Sequence, residues 1–257
     1  MRTYQRFLIL IYKIIENTGL LDVSFVNNLY VWTYFKYKKF LESRQLIKLC
    51  SFAMNGFDGR SIISNSIILD IGAHIGFFTS YAASCSHKVK ILALEPEGKN
   101  SFIFEKINEN LIQQGKVELI KKAAWKFDGQ IPFHFNNTNT ANNMFSSQSI
   151  HLVPAITIDS LILSHGSSVF LIKIDVQGYE FEVLQGALKT LKMFKPLLIV
   201  EIDANSLSSR NRNGVDLVNF LSSLGYKPWS VKNSKFFEVS ELNLNKKCVD
   251  LLFKFFE

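Results

Sequence analysis

Four carboxylates, Asp70, Glu95, Asp175 and Glu201, each close an apolar run in this 257-residue chain. The runs are Ile67 to Leu69, Val89 to Leu94, Val169 to Ile174 and Leu197 to Val200, broken only by Lys90 and Lys173. Open parallel sheets bind ligands outside the carboxyl ends of their strands, near the point where strand order reverses. Acids gathered there can accept ribose hydroxyls, and one of them can take a proton from a reacting hydroxyl. Four such placements are better explained by one shared crevice than by chance.

The first acid opens a glycine loop, Asp70-Ile-Gly72-Ala-His-Ile-Gly76, which leads into the apolar helix start Phe77-Phe-Thr. Gly72 lets the chain turn where a Cβ would clash, and Gly76 is expected to let the helix pack close to a ligand. A dinucleotide loop reads G-x-G-x-x-G, whereas no glycine stands at Ala73 or His74 here. The spacing instead points to S-adenosylmethionine (SAM). Glu95-Pro96, nineteen residues beyond Gly76, places a ribose-binding acid beside the same crevice.

A second constellation, Leu171-Ile-Lys-Ile-Asp-Val-Gln-Gly-Tyr-Glu180, supplies the chemistry. Strand alternation sends Lys173 and Asp175 the same way at a buried strand end. A lysine there needs a partner, which Asp175 or Glu201 can be. The pair reads as an ion bridge that orders the strand end, or as a device that positions a substrate hydroxyl and tunes a base. Gly178 permits a tight turn. Glu180 and Glu182 fall in the first helical turn beyond it, where the helix dipole favours negative charge; Glu182 is read as structural and Glu180 stays a catalytic candidate.

The elements that position these residues alternate, which predicts an α/β fold with a mostly parallel sheet and helices on both faces. Strands are expected at 67–70, 89–94, 117–124, 169–175 and 197–202, and helices at 76–85, 98–114 and 179–194. A helix near 214–224 and strands near 228–231, 236–239 and 249–255 finish the chain. Between 127 and 160 the alternation is interrupted by Ile131-Pro-Phe-His-Phe135, a polar stretch and Leu152 to Ile158, read as strands and a loop inserted over the sheet edge. Residues 1–60 read as a helical cap or extension ending at Asn55-Gly56-Phe57-Asp58-Gly59, and 61–257 as one catalytic domain.

Composition narrows the classes further. The chain is 47% hydrophobic, and its 23 Phe against 8 Tyr and 3 Trp suggest packing volume rather than a polar aromatic face. Cys50, Cys85 and Cys248 are far apart in sequence and form no C-x-x-C pair, so neither a disulfide framework nor a metal site is indicated and a cytoplasmic location fits. Phe7 to Tyr12 is too short to span a bilayer; a docked helix or peripheral membrane contact explains it. The net charge is +7, with Lys36, Lys38, Lys39, Arg44 and Lys48 clustered. A solvated helix face accounts for that cluster, and the absence of an RNA-binding motif argues against nucleic acid as partner.

With these residues in view, the chain resembles the FkbM family of SAM-dependent methyltransferases over about 65–203. The resemblance rests on Asp70 to Gly76, Leu94-Glu-Pro96 with Asn110 closing the next helix, Ala123-Ala-Trp125, Thr157-Ile-Asp159, Ile172 to Glu180 and Val200-Glu-Ile202. It implies a Rossmann-like class I methyltransferase fold with a seven-stranded sheet whose last strand is antiparallel. It also implies O-methylation of a hydroxyl on a sugar, glycan or secondary metabolite, with SAM as cofactor. Asp70, Gly72, Ala73 and Gly76 would then form the cofactor loop, with Glu95 and Pro96 at the ribose and Ala124 and Trp125 beside the adenine. Asp175 is the first choice of base and Glu201 the second, with Lys173 as partner. Gln177 stands where Glu is frequent and His74 where Asn is frequent. His134 and His151 remain acceptor-side candidates, and loops such as 136–149 would shape the acceptor pocket. The competing readings are an RNA methyltransferase, a nucleotide-dependent oxidoreductase and an inactive binding protein.

Overall fold

The computed structural model describes residues 44–56, 62–134, 150–232, 235–239 and 248–256. The strands in chain order are β1 (Ser66–Ile71), β2 (Val89–Leu94), β3 (Val117–Ile120), β4 (Ala123–Ala124), β5 (Gly129–His134) and β6 (Ile150–Ile156). They continue as β7 (Val169–Ile174), β8 (Leu197–Asp203), β9 (Tyr226–Lys232), β10 (Lys235–Glu238) and β11 (Cys248–Phe255). The helices are α1 (Arg44–Met54), α2 (Phe77–Cys85), α3 (Gly98–Ile107), α4 (Glu109–Gln113) and α5 (Ile158–His165). After them come α6 (Glu180–Gln185), α7 (Leu188–Phe194), α8 (Ala204–Ser208) and α9 (Gly214–Ser223).

One eight-stranded sheet has the order β10-β9-β11-β8-β7-β1-β2-β3. From β3 through β8 neighbouring strands are parallel, and β11 runs antiparallel to both β8 and β9. The antiparallel last strand is as expected. The sheet gains one strand beyond the expected seven because β10 folds back on β9 as an outer edge.

Alternation along the central strands builds the two covered faces. Ile67, Leu69 and Ile71 of β1 share an apolar cluster with Leu161 of α5, Val183 of α6, Leu191 of α7 and Leu217 of α9. Ile68 points the other way, into a cluster with Leu49 of α1, Phe78 of α2 and Phe104 of α3. Burying each such Leu or Ile contributes about 1.5–3 kcal/mol, enough to hold the strand ends in fixed register.

Three expected elements divide. Residues 117–124 form β3 and then β4, because the exposed Lys121 and Lys122 carry the chain out of the main sheet into a second one, ordered β4-β6-β5. The expected helix over 98–114 breaks at Asn108, and that over 179–194 breaks at Gly186-Ala187. Strand β6 ends where the Thr157 hydroxyl caps α5, a helix the apolar run Leu152 to Ile158 had concealed. The reading of 1–43 as helical, the boundary near 60, the Phe7 to Tyr12 run and loop 136–149 lie outside the described residues. Among the described residues no helix is long and apolar enough to cross a membrane.

Candidate active site

Strand order reverses at β1, whose neighbours β2 and β7 lead the chain in opposite directions across the sheet. In open sheets of this kind a ligand crevice lies outside the carboxyl ends of the strands at such a reversal. Asp70 is fully buried there and accepts a hydrogen bond from Thr79 Oγ1 at 2.6 Å, which ties β1 to the first turn of α2. Lys173, also buried, lies 3.3 Å from Asp70 Oδ1 and 3.4 Å from Asp175 Oδ2. Its ammonium donates to the Gly72 carbonyl at 2.9 Å. One cation therefore joins β1, the glycine loop and the end of β7. Of the two partners the sequence offered, Asp175 and Glu201, it pairs with Asp175, and the pairing with Asp70 was not foreseen.

Gly72 stands at φ 72°, and a Cβ on it would lie 1.9 Å from the Asp175 carbonyl. This loop pressed against β7 is why the position has no side chain. Its amide and that of Ala73 both donate to the Leu94 carbonyl, at 3.1 and 3.0 Å. Gly76 corrects the expectation that it opens onto a ligand. Protein fills the space where its Cβ would go: Asn108 Nδ2 would be 2.3 Å away and the Phe104 ring 2.7 Å. Asn108, not Asn110, is the residue that closes α3, and it also accepts from Ser80 at 2.7 Å.

Glu95 lies just past β2 and is buried. Its carboxylate accepts from the His74 amide at 2.8 Å and the Glu97 amide at 3.0 Å, and burial still raises it to about 7. Beside it Asn100 donates to Glu97 at 2.6 Å, which leaves the buried Asn100 Oδ1 with no hydrogen-bond partner. This corner presents acceptors, and Pro96 borders it, half-buried.

Asp175 and Glu201 meet across β7 and β8. Burial, then the facing Asp175, pushes Glu201 up to about 9, and a hydrogen bond joins the two carboxyls. Cys248 of β11 donates to Glu201 Oε1 at 3.1 Å, and Asp250 pairs with Glu201 in register. Neither Cys248 nor Asp250 was singled out from sequence, since only the antiparallel return of β11 brings them here. No group of three or more His, Cys, Asp or Glu among the described residues is placed to hold a metal ion.

The raised Glu201 has a consequence for stability. A carboxyl that holds its proton more tightly when folded stabilises most below its ordinary range, and the contribution is lost as pH rises toward 9. Glu95 and Glu180, both raised to about 7 by burial, add to the lower part of the same window. Melting temperature is expected to fall between pH 5 and 9, and Glu201→Gln, which keeps the neutral shape, should flatten the decline above pH 7. Thermal melts of both proteins across that range check this; parallel curves would remove Glu201 from the explanation.

Glu180 turns back on its own loop. It is 2% exposed and accepts from the Gly178 amide at 3.0 Å through Oε1, which holds the Gln177-Gly178 turn, while its buried Oε2 has no hydrogen-bond partner. Glu182 lies 3.8 Å from Arg212, in keeping with the structural reading. Ala124 is part of the main core, whereas Trp125 is half-buried with its ring 5.1 Å from that of Tyr179. His151 stands exposed on β6 of the small sheet, and the His134 side chain lies outside the described residues.

Residues 70–228, more than half of the chain, match the Methyltransferase FkbM domain. The chain belongs to the FkbM methyltransferase family. It is similar to the hexuronic acid methyltransferase AglP of Haloferax volcanii, 28% identical over 143 residues that make up 54% of this chain and 57% of that protein. It also resembles the crystal structure of methyltransferase FkbM from Methylobacillus flagellatus KT. That likeness has TM-score 0.54 and 17% identity, and covers 96% of this chain and 58% of that one. The chain thus spans less than two thirds of the length of either protein. One FkbM-like motif proves to be scaffolding: Asp159 accepts from the amides of Lys189 and Thr190 at 3.0 and 2.8 Å, so Thr157-Ile-Asp159 caps both α5 and α7.

Proposed function

We propose that this FkbM protein is a SAM-dependent methyltransferase acting on a hydroxyl of a sugar, glycan or related secondary metabolite. The observation that carries this reading is the joining of Lys173, Asp70, Asp175 and the Gly72 carbonyl at the switch point, beside the Asp175 and Glu201 pair. The donor set suits SAM. A cationic ligand with two ribose hydroxyls fits a crevice edged by carboxylates, and the acceptors Glu95 and Asn100 Oδ1 match those hydroxyls. Gly72 and Ala73 would shape the loop around it, with Pro96 at the ribose and Ala124 and Trp125 at the adenine side; Gly76 serves the fold. Bound SAM supplies a methyl group already activated on a sulfonium.

The chain's own residues then have defined tasks. Asp175 accepts the proton of the acceptor hydroxyl as that oxygen becomes a nucleophile. Lys173 pairs with Asp175 and fixes it. Glu201, which holds its proton, donates to Asp175 and orients it. Glu180 keeps the turn behind Asp175 in place. Similarity to a protein named for hexuronic acid supports sugars as the class of acceptor to try first.

Calorimetric titration with SAM tests the cofactor half of the reading. Glu95→Gln should weaken SAM about 10–100-fold, the worth of a hydrogen bond to a charged group. No heat with SAM or S-adenosylhomocysteine for the parent protein would overturn the reading, and binding of NAD alone would replace it with an oxidoreductase. A screen with methyl-labelled SAM against uronic acids, neutral glycans and RNA tests the acceptor half.

A further inference from the structure

Helix α1 lies against α2: Leu46, Leu49, Cys50 and Ala53 pack in one apolar cluster with Phe78, Ala82 and Ala83. Cys50 has no exposed surface, whereas Cys85, the last residue of α2, is exposed. Their side chains meet at this helix interface. Cys85 closes α2 about one turn beyond Ala82, and the interaction of the two thiols raises Cys50 and lowers Cys85. Tyr81 and Ser84, both on α2, act on Cys85 in the same direction. Two thiols far apart in sequence thus form a cluster with an apolar floor and a solvent-facing sulfur.

We propose that Cys85 is a peroxide-reactive thiol and that Cys50 resolves its sulfenic acid, closing a disulfide between α1 and α2. The donors around Cys85 favour its thiolate and lower it to about 6, outweighing the unfavourable end of the helix dipole. The thiolate attacks one oxygen of hydrogen peroxide: an S–O bond forms, the O–O bond breaks and hydroxide leaves. The Cys50 sulfur then attacks that of Cys85, the S–S bond forms as the S–O bond breaks, and the Cys50 proton leaves with the hydroxyl as water. Two electrons pass from the thiols to the peroxide. Cys50 packs against α2 about one turn before Cys85, so side-chain rotation brings the sulfurs toward bonding distance. The crosslink would fasten α1 to the helix that carries Thr79, the partner of Asp70.

Cys248 is the internal control. It is exposed as well, but it donates to Glu201 and its thiol is pushed up by burial and by that carboxylate. In the reduced full-length protein at pH 7, iodoacetamide should label Cys85 at least about tenfold faster than Cys248. Treatment with hydrogen peroxide should lower the intact mass by about 2 Da, reversibly with dithiothreitol. Non-reducing digestion should yield a Cys50–Cys85 peptide, and in Cys50→Ser dimedone should trap Cys85. The parent-protein measurements need no variant to fold. Equal labelling of Cys85 and Cys248, or peroxide-treated protein in which Cys85 forms only sulfinic acid without the crosslink, would overturn the proposal.

Discussion

Asparagine at 175 is expected to lower kcat by roughly 10²–10⁴-fold, the range for loss of a general base, while SAM affinity changes little. The substitution preserves size and leaves Lys173 its bond to Asp70 at 3.3 Å. What disappears is the one partly exposed carboxylate at this strand end that is held beside a lysine, 3.4 Å away. Glu201 cannot take over, because burial keeps its proton in place up to about pH 9. Steady-state transfer to the acceptor found by the labelled screen, together with SAM titration, measures both quantities. A decrease under tenfold with SAM binding intact would move the base elsewhere. Glu201→Gln should cost much less, since an amide still donates a hydrogen bond to Asp175.

Alanine at 72 should have the largest effect on the fold itself. Its Cβ would stand 1.9 Å from the Asp175 carbonyl, a backbone atom that cannot rotate away, and the position is left-handed at φ 72°. Overpacking and left-handed strain together cost about 2–5 kcal/mol. That is a large part of the roughly 5–15 kcal/mol by which domains of this kind are stable. The loop would escape by lifting from β7, which parts Lys173 from the Gly72 carbonyl and opens the site. Denaturant unfolding should place the variant's midpoint well below the parent's. An unchanged midpoint would mean that the loop is not pressed against β7 in solution.

Both expectations use features that differ in how legible they were. The acids were readable because an apolar run ended by a carboxylate can only be a buried strand reaching the edge of its sheet. All four stand at or near that edge, on β1, β8 and just past β2 and β7. Glycines were harder. Spacing identified Gly72 and Gly76 equally well, yet one meets the Asp175 backbone and the other meets Asn108 and Phe104. Spacing says that a side chain is forbidden, not what forbids it. Likewise Cys50 and Cys85 looked unrelated, because the packing of α1 on α2 leaves no trace in local sequence. Asp250 and Cys248 reach Glu201 only through the register of an antiparallel strand that periodicity cannot number.

The loops on either side of the Gly72 contact hold two ordinary residues in a left-handed backbone, His74 at φ 51° and Gln177 at φ 55°. Each gives up about 1 kcal/mol that glycine would keep. Anyone wishing to harden this protein for industrial use could therefore begin at these bends rather than in the core. The two bends offer the easier gain, and trying glycine or asparagine at 74 first would respect the His74 amide that holds Glu95.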